Sequence, residues 1–491
     1  MSKPIVWTIA GSDSGGGAGI QADLKTLHAL GAYGCSVITA LTAQNTTGIS
    51  RIEYQSDDMM EAQLQALASD LHPAAVKIGM LGTNSVIRKV AAHLAAIQPF
   101  TVLDPVLVSS SGTSLVEKDT LEAMIQHLLP HVDLLTPNIA EASALLGRPI
   151  EHHSEMPEAA VELLKYGVGS VLLKGGHAPG AFCQDFWTDG NTRLWLTSPR
   201  LDISDSHGTG CTLSSAIAAC KALNFSELDA LVIAKAFVNQ GLRGTLRVGR
   251  GRAPLSHTGW PDDHRDLPWI THRAEEAHDR IVFPDVDPQQ IGLYPIVDRA
   301  ALLDKLLPLG VRTVQLRVKH LDESLLEDEV RTAVQLARRF NANLYINDYW
   351  QLALKHNAYG VHLGQEDLPG ADLRALAKAG IRLGVSTRSY FELAQAMAVR
   401  PSYVAIGSVF PTASKTIDYD PLGLGHFRRL SRLIDMPVVA IGGITLEQAE
   451  NVWLAGADGM ALISDIVHAP DMNARVADWL KFFSAPPRRD L

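Results

Sequence analysis

Cysteine is scarce: four in 491 residues, at Cys35, Cys183, Cys211 and Cys220, none in a C-x-x-C pair. That excludes a disulfide framework and a cysteine zinc site, and makes a reducing, cytoplasmic setting the default. Long apolar runs are lacking too, so no segment reads as a membrane span. The start, Ile5-Val6-Trp7-Thr8-Ile9-Ala10, meets Gly11-Ser12-Asp13 at once and reads as a buried strand rather than a signal peptide. Positive charge is in deficit: 43 Lys and Arg against 53 Asp and Glu give a formal net charge of −10. Non-specific binding to nucleic acid or anionic lipid is therefore not expected. Any cation at a phosphate site must be placed locally. The expected partners are small molecules, with homo-oligomerisation left open.

What is present is a soluble globular composition, 46% hydrophobic and 20% charged. The length implies about three domains or two large α/β ones. In the first half, strand-like runs at 5–10, 36–40, 75–78, 101–104, 134–136 and 170–174 alternate with helical patterns. The first helix is expected from Ile20 to Leu30, ended by Gly31. This alternation predicts a mainly parallel sheet with helices on both faces and ligands beyond the strands' carboxyl ends. The stretch Ser206-His-Gly-Thr-Gly-Cys-Thr-Leu-Ser-Ser215 places Gly208, Thr209, Gly210 and Cys211 at the start of a small-residue, apolar helix. A helix start presents unpaired N–H groups, and glycine lets a phosphate approach them. The glycines at 15–19 fit neither a Walker A loop nor the dinucleotide fingerprint.

Six motifs lie in order over residues 1–258: Ala10 to Asp23, Leu41-Thr-Ala-Gln44-Asn45, Asp104-Pro-Val, Thr136-Pro-Asn-Ile-Ala-Glu141, Leu173-Lys-Gly-Gly-His177 and His207 to Thr212. Together they resemble the hydroxymethylpyrimidine (phospho)kinases, ribokinase-like enzymes with a three-layer α/β/α fold. The resemblance implies two ATP-dependent phosphorylations of 4-amino-5-hydroxymethyl-2-methylpyrimidine. It implies substrate contacts at Gly11, Asp23, Gln44 and Met80. ATP and Mg²⁺ are expected at Asn138, Glu141 and Thr209, with Glu141 toward the metal. Lys174, Gly208, Gly210 and Cys211 are the expected catalytic set. A helix N-terminus acts to lower the pKa of a thiol placed there, and bound ATP phosphates push the other way; whether Cys211 accepts a proton or only positions substrate stays open. Asp205-Ser206 stands where the family often has Asn-Thr, with a hydroxyl kept at Ser206.

Residues 259–282 read as an ordered or partly ordered connector with no recognisable module, with a helical turn or two near 273–280. Eight strand-like segments follow, at 293–298, 313–319, 344–347, 360–363, 382–386, 403–409, 438–441 and 459–463, which is the arithmetic of a (β/α)₈ TIM barrel over 283–491. Val314-Gln-Leu-Arg-Val-Lys319, Ile346-Asn-Asp348, Gly360 to Asp367, Leu383-Gly-Val-Ser386, Pro411-Thr-Ala-Ser-Lys415 and Ala440 to Thr445 resemble the thiamine-phosphate synthases. The resemblance implies joining the pyrimidine diphosphate to 4-methyl-5-(2-phosphoethyl)thiazole with loss of pyrophosphate. Asp348 and Asp367 carry over as Mg²⁺ ligands, and Gln315, Arg317, Lys319, Asn347, Ser386 and Lys415 as contacts to the pyrimidine diphosphate. Thr412, Gly443, Ile463 and Ser464 are the implied thiazole-phosphate contacts, and Ser414 is implied to bind substrate. Alternatives are a wider pyridoxal-type kinase fused to a synthase, and a non-catalytic sensor.

Overall fold

A computed structural model describes residues 3–107, 119–176, 180–201, 203, 206–245, 247–319, 321–412 and 420–487. The chain divides into two compact units, Met1–Pro261 with Arg265–Ala277, and Asp262–His264 with His278–Leu491. Among the described residues, no helix is long and apolar enough to cross a membrane.

The first unit is built on β1 (Ile5–Asp13), β2 (Tyr33–Asn45), β3 (Gly48–Tyr54), β4 (Ala75–Ile78), β5 (Phe100–Leu103), β6 (Leu134–Leu135), β7 (Ser170–Lys174), β8 (Phe182–Thr188) and β9 (Arg193–Pro199), with a short pair β10 (Ser206–His207) and β11 (Ala253–Pro254), and β12 (Trp269–Thr271). The ten-stranded sheet runs β12-β9-β8-β7-β6-β5-β4-β1-β2-β3. Its six central strands are parallel, while β3, β8, β9 and β12 pair antiparallel at the two edges. Successive side chains face opposite ways. Trp7, Ile9, Val37, Val76 and Ile78 pack on one face against the helices Asp57–Ala68, Asn84–Ile97 and Met156–Leu164. The other face meets the helices Gly19–Ala29 and Thr209–Ala222. This is the expected α/β/α sandwich. Strand order reverses at β1 and β4, which opens a crevice at their carboxyl ends.

The edges differ from the sequence expectation. The antiparallel strands were not anticipated, nor was the strand within the ordered connector: Trp269–Thr271 adds a tenth strand against β9. Asp266, wholly buried, takes Arg243 Nε and Nη2 at 2.7 and 2.6 Å, and its carbonyl accepts from Asn239 Nδ2 at 2.8 Å. Leu267 and Ile270 are buried. The expected turn near 273–280 is a 3-10 helix, Ala274–His278.

The second unit closes as a barrel, β13 (Gly292–Val297), β14 (Thr313–Leu316), β15 (Asn343–Asn347), β16 (Gly360–Leu363), β17 (Arg382–Thr387), β18 (Tyr403–Ile406), β19 (Val438–Ile441) and β20 (Gly459–Leu462). Each strand pairs in parallel with the next, and β20 pairs with β13. The eight predicted strands are all present. Three tyrosines, Tyr294, Tyr345 and Tyr403, fill the interior at 1% exposure each. Glycines make room for two of them. A side chain on Gly360 would begin 2.3 Å from the Tyr345 ring, and one on Gly384 would begin 2.2 Å from Tyr403.

Candidate active sites

In the first unit, the carboxyl end of β1 turns into a loop organised by Asp13. Its carboxylate accepts from the amides of Gly15, Gly17 and Ala18 at 2.8, 3.0 and 2.8 Å, and lies 3.5 Å from His207 Nε2. Burial pushes the Asp13 pKa up, but His207 and the amides outweigh it, and the carboxyl sits below its ordinary value. Gln44 Nε2 meets the same His207 at 3.1 Å. Gly11 lies against Met80, whose sulfur would stand 3.2 Å from any side chain placed there. Gly11, Gln44 and Met80 thus share one end of the crevice.

Gly208 caps the helix Thr209–Ala222 at φ +85°, and a Cβ there would fall 2.0 Å from the carbonyl of Gly17. The two glycine-rich loops touch only because neither has a side chain. The helix beyond is as small and buried as its sequence suggests: Ser214 to Ala219 are all inaccessible. A side chain on Gly210 would begin 2.9 Å from Asp104 Oδ2 and 3.2 Å from Lys174 Nζ. Lys174 bonds Asp104 at 2.6 Å. Asn138 and Glu141 form a capping box at the start of the helix Ile139–Leu146, with reciprocal bonds of 2.9 and 2.8 Å. Burial raises the Glu141 pKa to about 7; Lys174 pulls it down and Asp104 pushes it up. Two carboxyls against one ammonium leave spare negative charge beside the helix start.

One expectation changes. Asp23 does not line the crevice: it is wholly buried, and its carboxylate is filled by Lys77 Nζ at 3.0 and 2.8 Å, Thr8 Oγ1 at 2.6 Å and Ser215 Oγ at 2.8 Å. Helix geometry turns it toward the sheet, where Lys77 of β4 waits. At Cys211, burial outweighs the helix N-terminus. Burial pushes the thiol up to about 11, against the pull of Lys77 and the Gly19 amide. Lys77 lies in none of the motifs, and His207 stands in one without a role of its own.

In the barrel, the expected polar residues gather at the carboxyl ends. Gln315 and Asn347 are buried at the ends of β14 and β15. Asp348 follows with a left-handed backbone, φ +63°. Burial and the neighbouring carboxylate of Asp367 drive its pKa up to about 6, against the pull of Arg317. Two carboxyls this close favour a shared proton or a shared cation. Asp367 also accepts from the Gly364 amide at 3.2 Å. Lys319 is exposed. The loop after β18 is pinned to the end of β19 by Phe410 N donating to Gly442 O at 3.0 Å, which brings Thr412 toward Gly443. A side chain on Gly443 would begin 2.2 Å from Pro411 O. Ile463 and Ser464 open the short helix after β20. Ser414 and Lys415 lie outside the described residues.

Sequence reasoning left out the buried polar floor beneath this end. His362 Nε2 bonds Ser386 Oγ at 2.8 Å and its Nδ1 bonds Tyr403 Oη at 2.7 Å. Burial, with Arg317 nearby, lowers the His362 pKa to about 4. His362 stands within the Gly360 to Asp367 motif, whereas Tyr294 and Tyr403 lie in none of the motifs. Among the described residues, no group of three or more His, Cys, Asp or Glu could hold a metal ion by itself. The Asp348–Asp367 pair, and Glu141 with Asp104, fit an oxygen-liganded ion that completes its shell with water and phosphate.

Two family models match the chain: phosphomethylpyrimidine kinase over residues 13–256 and thiamine monophosphate synthase over 293–466. A relative from Oryza sativa subsp. japonica, named "Probable thiamine biosynthetic bifunctional enzyme, chloroplastic", is 34% identical across 96% of this chain and 88% of its own length. A hydroxymethylpyrimidine/phosphomethylpyrimidine kinase of Rhizobium meliloti is 45% identical over 52% of this chain and 96% of its own. Among solved structures, the pyridoxal kinase of Staphylococcus aureus in complex with AMP-PCP and pyridoxal is 32% identical, with a TM-score of 0.51, covering 56% of this chain and all (100%) of that one.

Proposed function

The chain belongs to the family of bifunctional thiamine-biosynthetic enzymes, and from that membership and the two site geometries we propose a division of labour between its units. The first unit transfers phosphate from ATP to the hydroxymethyl oxygen of 4-amino-5-hydroxymethyl-2-methylpyrimidine, and then to the resulting monophosphate. The barrel joins that diphosphate to 4-methyl-5-(2-phosphoethyl)thiazole and releases pyrophosphate.

In the kinase, Gln44, Gly11 and Met80 hold the pyrimidine, and Asn138, Glu141 and Thr209 face ATP. The amides of Gly208 to Cys211 take the charge that grows on the transferring phosphoryl oxygens. Lys174 adds a cation beside them. Asp23, filled by Lys77, supports the floor under Cys211 rather than touching substrate. In the barrel, the C–O bond to pyrophosphate breaks, the amino-substituted ring stabilises the pyrimidinyl-methyl cation, and the thiazole nitrogen attacks it. Arg317, Lys319 and Lys415 offset the leaving charge. Gln315, Asn347 and Ser386 orient the pyrimidine diphosphate. Thr412, Ser414, Gly443, Ile463 and Ser464 receive the thiazole phosphate. Mg²⁺, when bound, neutralises phosphate charge, held by Asp348 and Asp367 in the barrel and beside Glu141 in the kinase. A reducing compartment such as the cytoplasm is part of the proposal, since all four cysteines are free.

The observation that carries the synthase assignment is the pairing of the Asp348 and Asp367 carboxyls at the carboxyl ends of the barrel strands, within the span matched by the synthase family model. The test is one incubation. Purified protein with the pyrimidine alcohol, the thiazole phosphate and Mg-ATP is followed by mass spectrometry, and thiamine phosphate is expected. Absence of product from the alcohol, with product from supplied pyrimidine diphosphate, would leave only the barrel's assignment standing. The likeness to a pyridoxal kinase favours a second reading of wider kinase scope. Competition between pyridoxal and the pyrimidine alcohol separates the two.

A further inference from the structure

Five side chains in the barrel form one continuous hydrogen-bonded relay. Gln315 Nε2 stands 3.2 Å from Tyr294 Oη, Tyr294 Oη 2.8 Å from Tyr403 Oη, Tyr403 Oη 2.7 Å from His362 Nδ1, and His362 Nε2 2.8 Å from Ser386 Oγ. The members come from β14, β13, β18, β16 and β17, so the relay crosses the barrel instead of following a strand. Its middle is sealed, with Tyr294 and Tyr403 1% exposed and His362 7%. Its two ends, Gln315 and Ser386, are residues assigned above to the pyrimidine diphosphate.

Counting protons leaves two arrangements. A phenol has one proton to give and a neutral imidazole has one N–H. With the Gln315 amide donating to Tyr294, the Tyr294 proton goes to Tyr403. The Tyr403 proton then goes to Nδ1 of His362, and the imidazole N–H at Nε2 goes to Ser386. Reversing a single link strands a buried donor, which is costly. The other fully paired arrangement reverses every link and turns the Gln315 amide over. The amide orientation of Gln315 and the donor sense of Ser386 are therefore one variable.

We propose that Tyr294, Tyr403 and His362 are positioning residues for the condensation, holding Gln315 as an acceptor and Ser386 as a donor toward an aminopyrimidine diphosphate. Gln315 keeps Oε1 for the substrate's exocyclic amino group. Ser386 keeps its O–H for a ring nitrogen or a diphosphate oxygen. An oxo group in place of the amino group presents the opposite pattern and requires the whole relay to reverse. The proposal rests on the assignment of Gln315 and Ser386 given above.

Tyr345 supplies the control. Its ring lies 5.1 Å from that of Tyr403, but its buried hydroxyl bonds to no described residue. Tyr345→Phe thus removes a hydroxyl from the same cluster without touching the relay. In the full chain, Tyr403→Phe is expected to raise KM for the pyrimidine diphosphate about tenfold, with kcat within about twofold, and to weaken discrimination against the 4-oxo analogue. Tyr345→Phe is expected to change none of these. Independently, ¹⁵N-histidine NMR, assigned with His362→Gln, should report the Nε2–H tautomer of His362 in the unmodified protein and a mixture in Tyr403→Phe. Equal behaviour of the two Tyr→Phe variants would overturn the relay, and an Nδ1–H tautomer in the unmodified protein would overturn the acceptor sense of Gln315 and the donor sense of Ser386. A parent protein that makes no thiamine phosphate defeats the functional assignment instead, and the tautomer still decides the direction of the relay.

Discussion

Cys211 is a thiol that burial holds protonated at neutral pH, since its pKa is pushed up to about 11. Its use as a proton acceptor therefore depends on the moment of transfer, not on a resting thiolate. Cys211→Ala is expected to slow ADP release in a coupled assay about a hundredfold, while thiamine phosphate formation from supplied diphosphate is unchanged. A parent-like rate would reduce Cys211 to packing. Asp348 works in the opposite sense to a salt-bridged acid. Its folded pKa, about 6, lies above the usual carboxylate value, so its ionised form costs stability, and that cost is relieved as pH falls through about 6. At limiting Mg²⁺, proton and cation compete, and synthase activity should fall as pH drops through the same range. Asp348→Asn should raise the melting temperature of the metal-free barrel at pH 7 in calorimetry. It should also cut thiamine phosphate formation at least about a hundredfold, with the pyrimidine diphosphate accumulating. A metal-free variant no more stable than its parent contradicts the charge assignment. At this scale the sequence displays its chemistry at strand ends and hides it inside strands. Asp348 and Asp367 stand in motifs, whereas Lys77 sits within Ala75-Val76-Lys77-Ile78 and finds Asp23 only through the sheet.

Elements were legible where a single physical rule governs them. Short β-rich apolar runs mark the buried parallel strands, because both faces are covered. The antiparallel strands β3, β8, β9 and β12 depend on long-range pairing, and β3 also carries exposed polar positions, so local pattern does not reveal them. The helix starting at Thr209 was legible from its glycines, but not the reason for them. Gly208 is required both by its positive φ and by Gly17, whose carbonyl occupies the space of a Cβ. Gly208→Ala must push the two loops apart and tilt the amides away from the phosphoryl group. The expected loss is roughly 10²–10³ in kinase kcat/KM, with synthase activity intact. Full kinase activity would mean the amides are not the working part.

For the molecule as a whole, each proposed site is complete within one unit. The connector is where sequence reasoning fell short, because its strand is defined by β9 and by Arg243 rather than by any pattern of its own. A fragment of residues 1–258 lacks Leu267 and Ile270, whose burial stabilises the first unit by about 3–6 kcal/mol as an upper figure. It should melt well below a fragment of residues 1–277 in a thermal scan; equal melting would make the tenth strand ornamental. Fragments 1–277 and 278–491, mixed at equal concentration, should turn alcohol into thiamine phosphate with nearly the lag of the intact chain. A much longer lag would show that the covalent tether matters. The pairing of β13 with β20 has a consequence in time. Synthesis proceeds from the N-terminus at about 5–20 residues per second. The sheet has its last strand once Thr271 is made, whereas the barrel keeps an open seam until Leu462. The nascent chain therefore spends roughly ten to forty seconds with a finished kinase sheet and a barrel that cannot close, and that interval is when chaperones on the ribosome have something to guard.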